Sequence, residues 1–381
     1  MRMKGQKILA LFGAVIVVVC VCIPINTANA AYRFSDFRGR PPVHIYRSGQ
    51  LAPTGLSPAE VKKAYHLPLS GGKGTIAIID AYDDLTIESD LAVFDARYGL
   101  PSCTTRNGCF AKHKMASSIV RDSGWAMEAA LDVEWAHAIA PAATILLVEA
   151  KTPSGANLLA AIDYAASRKD VVAVSMSWGG DEFSDEVSYD AHFASRVNPK
   201  MVFFASSGDD GAGASWPAAS PNVIGVGGTT LALSAKGSFV SEKAWAGSGG
   251  GVSAYEEEPG YQKTYKIPKA IGMRAIPDVS YDADPASGFS VYLTVGTGAR
   301  ARGSWNTVGG TSAGAPQWAA IRALGGTATL AKLYADKASA RSIRYFRDIT
   351  SGTNGTCAYY CAARKRYDYV TGLGSPLTSR F

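Results

Sequence analysis

The stretch Gly309-Gly310-Thr311-Ser312-Ala313-Gly314-Ala315-Pro316 reads as a tight glycine turn, an exposed serine and the first turn of a helix. Paired glycines reach backbone conformations closed to other residues. Pro316 falls where the early turn of a helix tolerates a missing N–H, and residues 317–324 continue that helix. A serine at a helix N-terminus sits in a field that favours negative charge, where a nucleophilic oxygen is useful. The same octapeptide also fits a glycine-rich loop whose serine merely caps the helix.

Upstream, apolar β-branched runs alternate with helical stretches. A helix start at Ser57-Pro58-Ala59-Glu60 places Ser at the N-cap, Pro first and Glu third. Strands are expected at 75–79, 144–149, 171–177, 201–205 and 223–226, fit for burial on both faces. Helices are expected at about 86–98, 124–140 and 156–167, and another before residue 201. Residues 102–124 read as a connecting loop, and residues 229–310 are richer in glycine and short strands. Polar residues gather after the strands: Asp80, then Ser177-Trp178-Gly179-Gly180, then Ser206-Ser207-Gly208-Asp209. This is the pattern of a mostly parallel α/β sheet flanked by helices, with its ligands outside the carboxyl ends of the strands.

The chain has 381 residues, 47% of them hydrophobic, enough for a large core, and no internal repeat. Arg2, Lys4 and Lys7 precede an apolar run at 8–25, and Ala28-Asn29-Ala30 is a small-x-small cleavage site. Residues 1–30 are therefore expected to be a signal peptide, the alternative being an uncleaved anchor. Its loss lowers the formal charge from +6 to +3. Lys and Arg are scattered, without the stripe that tracks nucleic acid, so no nucleic-acid partner is expected. Residues 31–55 are polar and aperiodic and read as a short leader or linker; residues 56–381 read as one domain. Four cysteines remain after cleavage, Cys103, Cys109, Cys357 and Cys361, in two close pairs. In an oxidising compartment they read as two local disulfides rather than a zinc site. Asn354-Gly355-Thr356 is a glycosylation acceptor only in a host that glycosylates.

A serine nucleophile needs a base, a group that orients the base and an oxyanion donor. The five histidines make a poor set. His44 lies in the leader and His113 in a loop, and only His137 sits on a helix near acids; most are expected at the surface. Glu128 and Asp132 offer more, at i, i+4 on one helix face among apolar neighbours. Such a pair can share a proton; it can also be a solvated acidic face.

With these residues on the page, the chain resembles the sedolisin family of serine-carboxyl peptidases, which have a subtilisin-like three-layer α/β fold. Gly310-Thr311-Ser312 through Pro316 matches the family's G-T-S-x-x-x-P motif, and Glu128-x-x-x-Asp132 its acidic helix. Residues 207–211 match its S-G-D-x-G loop, and Ser175-Met176-Ser177-Trp178-Gly179 the strand lining its cleft. The match runs in register over roughly residues 56–376.

By that resemblance Ser312 is the nucleophile, Glu128 the base, Asp132 its partner and Asp209 the oxyanion acid. Asp80 extends the acid chain, with Trp178 a second supporting candidate. Ser175, Ser177 and Gly179 line the cleft, and Gly249 and Gly250 resemble the edge where substrate backbone pairs. A carboxylate cannot donate to an oxyanion but a carboxylic acid can, so work in acid is expected. The resemblance also implies one calcium ion, on Asp348 and Asp368, the Ile349 carbonyl and the carbonyls of Arg364 and Arg366. Three basic residues, Arg364, Lys365 and Arg366, stand there in place of the usual glycine-rich stretch. The function expected is a secreted or periplasmic monomeric endopeptidase acting on protein or peptide substrates, with no stable membrane association once the signal is cleaved. The alternatives are an inactive binding protein on the same fold and a His-dependent serine hydrolase.

Overall fold

The computed structural model describes residues 32–296, 298–339 and 342–381, so the expected signal peptide lies outside the described residues. The strands used below are β1 (His44–Gln50), β2 (Thr75–Ala81), β3 (Phe110–Lys114), β4 (Thr144–Ala150), β5 (Val171–Met176) and β6 (Val202–Ser206). They continue with β7 (Val223–Leu233), β8 (Phe239–Ala244), β9 (Val279–Asp282), β10 (Phe289–Val295) and β11 (Arg302–Gly309). The helices are α1 (Pro58–Ala64), α2 (Ile87–Tyr98), α3 (Ser123–Ile139), α4 (Gly155–Ala166), α5 (Gly260–Tyr265), α6 (Gly314–Ala323) and α7 (Leu330–Ala338).

The central sheet runs β8-β7-β6-β5-β2-β4-β3, with β9 added to the middle of β7. Every pair is parallel except β8–β7. All seven residues of β2 are buried, which is why it reads as a continuous apolar run rather than an alternating one. Helices α3 and α6 pack on each other and on β2, while α4 packs on β2, β4 and β5. The two sides close separate apolar cores, one around Trp135, Tyr281 and Trp318, the other around Phe37, Trp178 and Trp216. A smaller antiparallel sheet, β1-β11-β10, lies beside them. Among the described residues no helix is long and apolar enough to cross a membrane.

Most expected elements form within a residue or two of their places. Three expectations are corrected. The 102–124 loop contains the edge strand β3, whose central three residues are only half-buried, too short and polar to announce itself. The segment before β6 forms a 3-10 turn, Glu186–Phe193, instead of an α-helix. Residues 32–55 are no detached leader. Phe37 is fully buried against Trp178, Phe183 and Trp216, and β1 pairs with β11. Periodicity missed the segment because it adds backbone and single anchors rather than a face.

Candidate active site

The carboxyl ends of β2, β5 and β6 deliver Asp80, Ser177 and the Ser207-Gly208-Asp209 loop to one place. Helix α3 crosses above them. Asp122 caps it, accepting from the N–H groups of Gly124 at 2.9 Å and Trp125 at 3.0 Å. From Met127 to Ile139 every residue of α3 is buried, so the helix has no solvated face. Glu128 and Asp132 are both 0% exposed, which rules out the bland reading of that pair.

Ser312 lies in the 3-10 turn Thr311–Ala313 ahead of α6, entered through Gly310 at φ 129°, a left-handed conformation that favours glycine. Pro316 is the third residue of α6, among the N–H groups that lack a helical partner anyway. Ser312 is 0% exposed, against the expectation of an exposed serine. Its hydroxyl donates, at 3.5 Å, to the Ser177 carbonyl. The Ser177 hydroxyl in turn reaches Asp132 Oδ1 at 2.9 Å and the Ser312 carbonyl at 3.1 Å, tying the acid to the Ser312 backbone.

Neither Glu128 oxygen has an aligned hydrogen-bond partner among the described residues. Its pKa is nonetheless governed by its neighbours: burial drives it far up, the Asp132 and Asp80 charges add to the rise, and the Ser312 hydroxyl opposes it. Catalytic hydrogen bonds are often loose in a free site and tighten with substrate. Asp132 is raised by burial and moderated by Ser177 and Glu128. Asp80 is raised by burial, then by Asp132 and Glu149, and both its oxygens lack partners among the described residues. Three carboxyls in one dry space cannot all ionise, so they hold shared protons.

Asp209 is clasped by Thr311, whose backbone N–H and hydroxyl donate to Oδ1 at 2.8 and 2.7 Å. Its other oxygen lies 3.0 Å from His44 Nε2, without an aligned hydrogen bond. Burial raises the Asp209 pKa against the opposing pull of His44 and Thr311.

Several expected site residues take other places. The Trp178 indole donates to the Ile79 carbonyl at 2.9 Å and packs among Phe37 and Trp216, so it braces the strand bearing Asp80 without touching the acids by a hydrogen bond. Ser175 lies inside the sheet between β2 and β6, its hydroxyl buried and without a partner among the described residues. Gly249 and Gly250 are spent on the molecule itself, with N–H groups on the carbonyls of Gly208 and Gly213 at 2.7 and 2.9 Å. A methyl group on Gly249 would come within 2.0 Å of the Ser207 carbonyl oxygen, so glycine is needed to back the Ser207-Gly208-Asp209 loop. Ser177 is fully buried, its hydroxyl on Asp132, and Gly179 pairs with Arg40.

His137 is no surface residue: it is fully buried, and its Nε2 lies 2.9 Å from the Pro101 carbonyl and 3.4 Å from Asp95. The histidine beside the site is His44, on Asp209. Nothing in its aperiodic surroundings could have promoted it. Thr311, next to the nucleophile, was legible only as part of the motif.

Both expected disulfides form, Cys103–Cys109 and Cys357–Cys361. The Asn354 amide of the sequon donates to the Ser248 carbonyl at 2.7 Å and is buried. The calcium expectation meets a different arrangement. Arg364 and Arg366 offer the carboxylates their N–H groups, not carbonyls: Arg364 donates to Asp368, and Arg366 to both oxygens of Asp348, all at 3.0 Å. Asp368 also accepts from the N–H groups of Val370 and Thr371. Lys337, 8% exposed, puts its ammonium on Asp348 and on the Leu373 carbonyl. Calcium requires six to eight oxygens with lone pairs to give. Here the lone pairs face donors and the cation is a lysine, so the residues do not fit the ion.

Comparison with known proteins agrees with this geometry. The subtilase family model matches residues 121–345, more than half of the chain and inclusive of Glu128, Asp132, Asp209 and Ser312. Kumamolisin from Bacillus sp. (strain MN-32) is 32% identical over 380 aligned residues, covering 88% of this chain and 64% of that protein. Sedolisin from Pseudomonas sp. (strain 101) is 30% identical over 239 residues, 54% of this chain and 39% of that protein. The chain thus spans less than two thirds of the curated relatives it matches. A solved Pseudomonas sedolisin, a serine-carboxyl proteinase complexed with two molecules of pseudo-iodotyrostatin, superposes with a TM-score of 0.71 at 26% identity, over 85% of this chain and 96% of that one. With the parallel sheet, the buried carboxyl pair and the serine turn in place, the chain belongs to the subtilase family, on its sedolisin branch.

Proposed function

We propose that this protein is a secreted serine-carboxyl endopeptidase that hydrolyses peptide bonds through an acyl-enzyme and works best in acid. The reading rests above all on the meeting of Ser312 with the dry Glu128–Asp132 pair beside a clasped Asp209. Ser312 Oγ attacks the scissile carbonyl carbon while Glu128 takes its proton. Asp132, held by Ser177, shares charge with Glu128, and Asp80 extends the proton-sharing set. Asp209, as the acid, donates to the oxyanion. The C–N bond breaks, Glu128 returns its proton to the leaving amine, and water then hydrolyses the ester by the reverse relay.

The scattered charge and the site chemistry both favour protein or peptide substrates over nucleic acid. Two formed disulfides agree with export. The C-terminal corner is proposed to be held by Lys337 in place of calcium. Digestion of a peptide library from acid to neutral pH, with wild type and Ser312→Ala in parallel, tests the function: cleavage in the wild type only supports it, and equal cleavage in both refutes it.

A further inference from the structure

Away from the cleft, the Cys103–Cys109 pair closes against helix α3 rather than standing alone. Cys103 is 0% exposed and Cys109 half-buried. His137 of α3, also fully buried, turns its imidazole toward them, with Nδ1 4.0 Å from Cys109 Sγ. The other ring nitrogen fixes the tautomer. Nε2 lies 2.9 Å from the Pro101 carbonyl, which can only accept, so Nε2 carries the proton and Nδ1 the lone pair. A disulfide sulfur has no proton to give that lone pair. Asp95 ties the two sides together: its Oδ2 accepts from the Cys103 N–H at 3.0 Å, and its Oδ1 lies 3.4 Å from His137 Nε2. Among the described residues, Cys103, Cys109 and His137 are the one set of three His, Cys, Asp or Glu side chains whose ligand atoms all lie within 4.8 Å of one another. Cys357 and Cys361 belong to no such set among those residues.

We propose that in the dithiol form Cys103 Sγ, Cys109 Sγ and His137 Nδ1 hold one zinc ion, and that the disulfide is the metal-free state of the same site. Two thiolates and an imidazole are soft and borderline donors, a set that suits zinc and not calcium or magnesium. A zinc-bound histidine characteristically donates its other N–H to a carbonyl or carboxylate, and Pro101 and Asp95 stand there. The fourth position falls to water, on the side where Cys109 meets solvent. Zinc–sulfur bonds of about 2.3 Å in a tetrahedron set two sulfurs about 3.8 Å apart. The cysteines therefore have to separate, and residues 105–108 between them are an exposed turn that can widen without disturbing the core. Loading releases the two thiol protons to solvent. Expulsion runs through exchange with a small disulfide such as oxidised glutathione. The Cys103–Cys109 bond forms, the glutathione disulfide is reduced to two thiols that take up two protons, and the ion leaves; a dithiol reductant reverses the exchange.

The test needs no catalytic activity. The chain carrying Cys357→Ser and Cys361→Ser is reduced with a phosphine and titrated with Co²⁺, a coloured stand-in for zinc. Thiolate-to-cobalt charge transfer and tetrahedral d–d bands are expected to saturate at one equivalent and to vanish when Zn²⁺ is added. The unreduced chain should give neither band. Asp95→Asn should weaken binding by about tenfold, the low end of what outer-shell changes cost, and His137→Gln by more than about 100-fold. No cobalt spectrum after reduction, or an equal affinity in His137→Gln, overturns the site. A second measurement keeps the natural cysteines. In the reduced natural chain, Zn²⁺ should slow alkylation of Cys103 and Cys109 by iodoacetamide and leave Cys357 and Cys361 at their metal-free rate. Equal rates with and without zinc at Cys103 and Cys109 contradict the proposal, as does a reduced chain that unfolds and that zinc does not restore.

Discussion

Two acidic corners of this molecule are built on opposite rules. In the C-terminal corner, Asp368 accepts from Arg364, Val370 and Thr371, and Asp348 from Arg366 and Lys337, so each carboxylate is answered by donors. In the corner under α3, Glu128, Asp80 and one oxygen each of Asp132 and Asp209 have no aligned hydrogen bond among the described residues. A buried polar atom left unpaired costs about 1–3 kcal/mol. The first corner avoids that cost and is scaffold. The second bears it several times over, and these same atoms have protons to give and take. Unmet hydrogen-bonding capacity, rather than acidity itself, sets these two corners apart.

The sharpest way to break the comparison is to remove the reacting groups. Ser312→Ala and Glu128→Gln should each lower kcat by about 10⁴-fold or more while leaving the fold intact, since members of one relay fail together. A loss below tenfold in either variant would place the chemistry elsewhere. Next in size is Asp209. Replacing it by Ala should cost about 10²–10³-fold in kcat, the worth of one oxyanion donor. Asp209→Asn should recover part of that loss, because an amide donates at every pH. Equal activity in the Ala and Asn variants contradicts the donor role.

These assignments came from the sequence with uneven ease. The sheet was legible because its strands are apolar on both faces, as β2 is along its whole length. The Ser312, Glu128–Asp132 and Asp209 motifs were legible as local patterns. Their burial was not, because the i, i+4 spacing of Glu128 and Asp132 is the same in a solvated helix as in a wholly buried one. The docking of residues 38–44 was illegible for another reason: Arg40 and His44 act through main-chain pairing and one long-range contact, which leave no periodic trace. Lys337 was missed likewise, being one lysine on α7 whose partners lie 11 and 36 residues further on.

A smaller effect concerns stability. Burial raises Asp95 and Glu149, each to about 7, and drives Glu128 and Asp80 further up. Such carboxyls hold protons more tightly in the folded than in the unfolded chain. Stability is therefore fully present below about pH 4 as far as these groups decide it, and is lost as pH rises from there through 7. The slope is about 1.4 kcal/mol per pH unit for each group while it titrates. Thermal melts at pH 4 to 8 should give a Tm that falls toward pH 8; a Tm that rises over that range contradicts the dry-carboxyl account.

At the satisfied corner, Lys337→Met should destabilise by about 1–3 kcal/mol by stripping donors from Asp348 and the Leu373 carbonyl. Smallest of all, a chelator should leave the wild-type Tm unchanged. A marked drop that calcium restores would show that a metal, not the lysine, holds this corner.

The central claim is that carboxyls alone activate Ser312, with Asp209 acting as an acid. Its most direct test is the pH profile of kcat/KM on one fluorogenic peptide from pH 3 to 9, measured for the wild type. Burial keeps Asp209 protonated to higher pH than an ordinary aspartate, and its donor form is lost as pH rises through that raised pKa. The account predicts a maximum below neutral pH and a fall on the alkaline side. A profile that climbs to a maximum at pH 8 or above would contradict it.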